Sequence, residues 1–206
     1  MTKVVLATRN ANKVEELREI LADVSAELAL EIVGLDGFPD APEVVEDGVT
    51  FEQNAILKAA SAAHVTGLPA LADDSGLAVD VLGGAPGIFS ARWSGGGGDR
   101  ANLELLLAQL AEVRDEHRAA AFVCAAALVL PDGRSAAELG RFPGVIVRAP
   151  RGSNGFGYDP IFVPSDQPAG SERTLAEYEA DEKNQVSHRA LAFRALVPHL
   201  KEHLRP

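Results

Sequence analysis

Apolar and polar positions alternate along this chain in two different rhythms. Residues 3–8, KVVLAT, are a short apolar, β-branched run, which reads as a buried strand. After the polar stretch TRNANK, Val14, Leu17, Ile20, Leu21 and Val24 recur at helical spacing and predict one helix over 14–24. The opening unit is therefore strand, polar turn, helix. LEIVGL (30–35) predicts a second strand, ended by the Gly-, Pro- and acid-rich loop DGFPDAPE. Thr50 and Gln53 have capping-box spacing ahead of the helical run 55–65.

Residues 67–82 predict two short strands joined at Asp73–Gly76, and the glycine-rich run 82–98 is too irregular for a helix. Asp99 is placed to N-cap a helix over 101–113. Residues 119–134 and 135–150 predict strands joined at Pro131–Gly133. A second glycine loop, 150–160, leads to a short strand at 161–164. An amphipathic helix over about 187–204 closes the chain, interrupted or bent near Pro198. Strands and helices mix without a clean βαβ rhythm, which argues for mixed α/β rather than a doubly wound sheet.

The 206 residues suit one domain, 1–206, or two lobes sharing a cleft. The apolar run at 119–130 is too short to span a bilayer, and the N-terminal residues lack a signal peptide's apolar run. Cys124 is the only cysteine, so neither an internal disulfide nor a cysteine-based zinc site can form, as suits a reducing cytosol. The net charge of −11 argues against binding nucleic acid or an acidic membrane through the overall field. A nucleotide would need local cations, backbone amides and a metal ion.

Four segments could supply them. In TRNANK (8–13) a polar turn aims backbone N–H groups, the helix dipole and Lys13 at one point, although taken alone the segment reads better as a capped helix with a surface lysine. The glycines of a phosphate loop are missing. In ALADDSG, adjacent strand residues point to opposite faces, so only one of Asp73 and Asp74 can serve a given cleft and the other needs a structural partner. A carboxylate there can hold Mg²⁺ or accept a proton from water; a β-turn is the plain alternative. Glu43, Glu46 and Asp47 offer a further carboxylate, although by themselves they read better as a solvated acidic loop. In GSNGFGYDP, Phe156 and Tyr158 stand between glycines in a chain with few aromatics, free to stack on a base or to plug the core. Their shared parity lets both face one side of an extended strand. In EKNQVSHR, Ser187 reads as an N-cap, which puts His188 and Arg189 in a first helical turn where the dipole disfavours cations unless they meet an anion. His64, His117, His199 and His203 lack such company and read as ordinary surface or core residues.

Taken together, VVLATRNANK, TFEQNAILKA, ADDSGLAVDVLGGAPGIFSARWSG, GFGYDPIF and AEYEADEKNQVSHRA resemble the inosine triphosphate and xanthosine triphosphate pyrophosphatase family over nearly the whole chain. The resemblance implies a mixed α/β fold with an elongated sheet and two lobes around a central substrate cleft, usually a homodimer, in the cytoplasm. It implies Mg²⁺-dependent hydrolysis of abnormal purine nucleoside triphosphates to the monophosphate and pyrophosphate. Thr8, Arg9, Asn10, Ala11, Asn12 and Lys13 would hold the triphosphate, and Lys58 would meet phosphate. Glu46 and Asp74 would be the metal carboxylates, with Asp74 also accepting the water proton. Ser75 would contact substrate. Phe156, Gly157, Tyr158 and Asp159 would line the base and sugar pocket, and Lys183, His188 and Arg189 would complete base recognition. A pyrophosphatase for modified pyrimidine or methylated nucleotides, a nucleotide sensor without turnover and a structural interaction module are the competing readings.

Overall fold

The computed structural model describes residues 1–168, 170–179, 182 and 187–205. Six strands form one mixed sheet in the order β2-β1-β3-β4-β5-β6: β1 Thr2–Leu6, β2 Leu30–Val33, β3 Ala70–Val79, β4 Ala119–Val129, β5 Ser135–Ile146 and β6 Phe162–Pro164. β1 pairs in parallel with both β2 and β3, whereas β5 and β6 are antiparallel. The named helices are α1 Ala11–Ile20, α2 Ala22–Leu28, α3 Phe51–Thr66, α4 Gly98–Gln109 and α5 His188–His203. The mixed α/β class expected from the sequence is the one observed. The chain falls into two compact units, one of residues 1–74, 124–140 and 189–206, the other of residues 75–123 and 141–188.

In the first unit the strands are covered on both faces, which is why β1 and β4 are apolar at consecutive positions. Val4 and Leu6 of β1, Leu71 of β3 and Cys124, Ala126 and Leu128 of β4 pack against Leu17 of α1, Val24 and Leu28 of α2, and Phe193, Leu196 and Leu200 of α5. The alternate positions Val5, Ala70, Ala72, Ala125, Ala127 and Val129 meet Ala55, Ala59, Ala62 and Ala63 of α3. Period two along β3 thus assigns odd residues to the α1–α5 side and even residues to the α3 side.

The second unit has its own core. Leu77 and Val79 of β3, Leu103 and Leu106 of α4, Phe122 of β4, Ile146 of β5 and Phe162 of β6 pack with Tyr158, Leu175 and Tyr178. Arg118 is buried there, and its guanidinium donates to the carbonyls of Leu110, Ile146 and Val147 at 2.6, 2.7 and 3.0 Å.

Several elements differ from the sequence expectation. Residues 70–79 make one strand rather than two joined at Asp73–Gly76, because both carboxylates find side-chain partners beside the sheet and have no need of a turn's local hydrogen bonds. The helix expected over 14–24 is two, starting at Ala11 and changing over at Leu21. Helix α4 starts from Gly97, not Asp99, since the Asp99 carboxylate instead accepts from the Gly157 N–H at 2.8 Å. Helix α5 runs on through Pro198. Among the described residues no helix is long and apolar enough to cross a membrane.

Candidate active site

The parity of β3 sends its two acids to different neighbours. Asp73 shares the side of Leu71 and meets α1 and α5: Lys13 Nζ lies 3.4 Å from its carboxylate, and Arg189 Nε donates to it at 3.1 Å. Arg189 also donates to Glu16 of α1 at 2.7 Å. Two cations and two anions are thereby neutralised, with the side chains of Asp73, Arg189 and Glu16 only 6%, 11% and 17% exposed. Burial alone would raise the Asp73 carboxyl, but Arg189, Lys13 and Lys58 outweigh it and hold the group far below the usual carboxylate range. Burial would likewise lower Arg189, and Asp73 and Glu16 instead hold it above its ordinary value. Arg189 occupies the first turn of α5, where the dipole alone would disfavour it, because these anions face it.

Asp74 shares the side of Ala72 and meets α3. Asn54 and Lys58 are one helical turn apart and so point the same way. Asn54 Nδ2 donates to Asp74 at 3.2 Å, and Lys58 Nζ donates to Asp74 at 3.1 Å and to Glu46 at 2.8 Å. One ammonium therefore sits between two carboxylates, leaving the trio with one uncompensated negative charge. Burial pushes the Asp74 carboxyl above its ordinary value, against the lowering by Lys58 and Asn54. Burial would lower Lys58, but its hydrogen bond to Glu46 and the charge of Asp74 raise it.

The acidic loop is fixed from both ends. The buried Asn54 accepts from the Gly48 N–H at 2.9 Å, an approach only glycine permits, since a Cβ at position 48 would lie 2.6 Å from the Asn54 oxygen. Arg9 reaches across from the first turn and donates to the Ala41 carbonyl at 2.8 Å. The turn itself is held by Thr8 Oγ1, which accepts from the Asn10 N–H, and by Asn10 as N-cap of α1, accepting from the Asn12 N–H at 3.0 Å. The first turn of α1 contains no acid, so its N–H groups present an unopposed positive end. A cavity of about 420 Å³ is bordered by Thr8, Arg9, Glu43, Glu46, Lys58 and Ser61, among others. The fold thus brings the anion-directed turn, the acidic loop and the α3 lysine to one place.

The remaining candidates belong to the second unit. The loop before β6 is no extended strand, since Gly155 and Gly157 have φ of +75° and +61°, and the two aromatics part company. Phe156 is 70% exposed; Tyr158 is buried and donates its hydroxyl to the Ser90 carbonyl at 2.8 Å. Burial pushes that phenol well above its ordinary value. The buried Asp159 carboxylate accepts from the Phe156 N–H at 2.8 Å. A Cβ at position 155 would fall 2.1 Å from that carboxylate, so this loop too depends on glycine. Ser75 is partly buried at the start of this unit's stretch of β3. The His188 ring stacks on Phe122, 5.2 Å between centroids. Lys183 lies outside the described residues.

Sequence reasoning missed Asn54 and Glu16. Both carried a signal: Asn54 is a polar residue one turn before Lys58 on a helix whose other inward positions are alanines, and Glu16 follows Lys13 at i+3.

Comparison with known proteins bears on the whole chain. The model of the Ham1 family matches residues 4–199. A dITP/XTP pyrophosphatase of Streptomyces avermitilis is 60% identical, with 98% of each chain covered. One of Leifsonia xyli subsp. xyli is 55% identical, covering 100% of this chain and 99% of its own. Among solved structures, a HAM1 protein from Coxiella burnetii superposes with a TM-score of 0.86 at 41% identity, covering 98% of this chain and all of the other. The Mycobacterium abscessus nucleoside-triphosphatase / dITP/XTP pyrophosphatase gives 0.77 at 50% identity, over 96% of this chain and all of the other.

Proposed function

The chain belongs to the Ham1 family, and from that premise we propose that it is a nucleoside triphosphate pyrophosphatase that converts inosine, deoxyinosine and xanthosine triphosphates to the monophosphate and pyrophosphate. The observation that carries this reading is the division of labour on β3, where Asp73 is locked into a neutral cluster while Asp74 is left with Lys58, which it shares with Glu46 and which borders one cavity with the anion-directed turn.

Glu46 and Asp74 suit Mg²⁺. Both are hard oxygen donors, and both already reach a single cation, the Lys58 ammonium. Bound there, Mg²⁺ would neutralise phosphate charge and polarise the bond that breaks. The residues of the chain do the rest. Backbone N–H groups at the start of α1, with Thr8, Asn10 and Lys13, bind phosphate oxygens. Lys58 turns from its carboxylates to phosphate and stabilises the charge that grows on the leaving group. Asp74 accepts a proton from the attacking water, whose oxygen bonds to the α-phosphorus as the bond to the bridging oxygen breaks and pyrophosphate departs. Ser75 contacts the sugar–phosphate end of the substrate. The loop of Phe156, Gly157, Tyr158 and Asp159, with Lys183 and His188, receives the base; Arg189, expected from the sequence to read the base, is instead committed to Asp73 and Glu16. Phe156 is the aromatic exposed for stacking, while Tyr158 and Asp159 hold the loop in shape.

The same reading makes the enzyme a cytoplasmic homodimer, as the family resemblance implies, and sedimentation equilibrium tests the dimer. The activity is tested by chromatography of products from deoxyinosine triphosphate with Mg²⁺ and with EDTA. Monophosphate and pyrophosphate in equal amounts, without diphosphate, are expected; stepwise release of orthophosphate would refute the proposal.

A further inference from the structure

Helix α5 ends in a group of side chains that the pyrophosphatase reading leaves unused. His199 and His203 are one turn apart and Glu202 lies between them, so all three project from one face. One ligand atom from each lies within 4.8 Å of the others. A fourth group comes from a different element: Glu138 of β5 contacts His199 Nε2 at 3.0 Å. A carboxylate held against an imidazole nitrogen is the usual companion of a metal-bound histidine, since it fixes the ring and raises its basicity.

The bland explanation covers only part of this. Histidines in a last helical turn gain from the dipole, and a lone His–Glu pair is a common surface contact. Neither accounts for an acid at position 202, which the same dipole disfavours, or for two imidazoles and a carboxylate converging. Three ligands bound tetrahedrally at about 2.0–2.1 Å would stand roughly 3.4 Å apart. The present separations, up to 4.8 Å, would shorten by side-chain rotation as an ion binds. Arg134 also interacts with Glu202, but its guanidinium is anchored on Asp132 at 2.8 Å. All three side chains retain some exposure, so an ion has access.

We propose that His199, Glu202 and His203 form a second metal site, for a borderline-soft divalent ion of the Zn²⁺ kind. The donor set decides the class. Two imidazole nitrogens select Zn²⁺ and its transition-metal neighbours over Mg²⁺, whereas Glu46 and Asp74 offer only hard oxygens. The two sites would thus sort two ions. Through Glu138 the ion would tie the end of α5 to β5.

The test uses the full chain stripped with EDTA and then kept in 5 mM Mg²⁺, titrated with Zn²⁺ by calorimetry and followed by thermal unfolding. One equivalent of Zn²⁺ is expected to bind and to raise Tm. His203→Ala should weaken that binding by well over ~10-fold, and Glu138→Gln by roughly 10-fold, the usual cost of removing an orienting carboxylate. Asp74→Asn should leave Zn²⁺ binding unchanged, and His203→Ala should keep full pyrophosphatase activity in Mg²⁺. Because His199 also serves its pair with Glu138, Cu²⁺ electron paramagnetic resonance gives an independent reading. Hyperfine coupling to two imidazole nitrogens is expected in the wild type and to one in His203→Ala. Zn²⁺ affinity indifferent to His203→Ala, or lost in Asp74→Asn, would overturn the proposal, as would the absence of Zn²⁺ binding.

Discussion

Neighbouring aspartates on one strand should respond in opposite ways to the same substitution. Asp73 belongs to a neutral group of two acids and two bases, so Asp73→Asn leaves one positive charge uncompensated beside Arg189, whose side chain is only 11% exposed. Asp74 belongs to a group of two acids and one base, so Asp74→Asn makes that group neutral. For Asp73, the attraction to Arg189 at 3.1 Å is about 5 kcal/mol gross at an effective dielectric of about 20. Lys13 adds little, being 37% exposed and free to turn to water. Breaking a buried pair costs about 3–5 kcal/mol. Arg189 keeps Glu16, which places Asp73→Asn at the lower end, about 3 kcal/mol, or roughly 6–12 °C in Tm for a chain of this size.

Asp74→Asn should cost no stability in EDTA and can raise it, while kcat falls at least ~10²-fold through loss of the base. The pH dependence follows from Asp73's depressed carboxyl. Its contribution is complete above the ordinary carboxylate value of about 3.9 and is lost as pH falls toward its lower folded value. The stability gap between wild type and Asp73→Asn should therefore be constant from about pH 6 to 8 and narrow only below about pH 4. Urea and thermal unfolding followed by circular dichroism, beside steady-state kinetics, decide the matter. Equal stability losses for the two variants, or near wild-type turnover in Asp74→Asn at saturating Mg²⁺, would refute the division of labour.

Lys58→Met should bind Mg²⁺ more tightly by calorimetry, because a competing cation leaves Glu46 and Asp74, yet lose roughly 10²-fold in kcat/KM as phosphate loses its donor. Tyr158→Phe should lower stability by about 1 kcal/mol in urea unfolding, the worth of its buried hydrogen bond to Ser90. Phe156→Ala should leave stability unchanged and raise KM, because that ring is largely exposed. In a substrate panel, kcat/KM for inosine and xanthosine triphosphates should exceed that for ATP and GTP by at least ~10²-fold.

The parts of the fold legible in the sequence were those set by periodicity. Spacing of Val14, Leu17 and Leu21 located a helix, and Thr50 with Gln53 marked the start of another, where the Thr50 hydroxyl does accept from the Gln53 N–H. Strand parity alone required that Asp73 and Asp74 face opposite ways and that one of them find a structural partner. It could not say which. That choice depends on β3 lying between α1 and α5 on one side and α3 on the other, a fact of topology that no local window contains. The same limit explains the turn expected at Asp73–Gly76. An Asp-Asp-Ser-Gly run favours a turn while its carboxylates are pictured in water, and it stays extended once Lys13, Arg189, Asn54 and Lys58 supply partners from distant segments.

Where glycine intervenes, parity stops being a guide. Phe156 and Tyr158 share parity only if the chain between them is extended. The positive φ of Gly155 and Gly157 turns the backbone instead, exposing one ring and burying the other. Histidine shows a different failure. Taken singly, His199 reads as an ordinary residue, and so does His203 despite Glu202 directly before it. Helical spacing places them together with Glu202, and β5 brings Glu138 against them from some sixty positions away, as only the fold can. His199, Glu202 and His203 lie within five consecutive positions and were open to a spacing argument, while Glu138 was not, and their donor chemistry differs from that of the acids at Glu46 and Asp74. Metal selectivity is thus the property by which the two sites are best told apart: Zn²⁺ should follow the imidazoles and Mg²⁺ the carboxylates, whichever ion is added first.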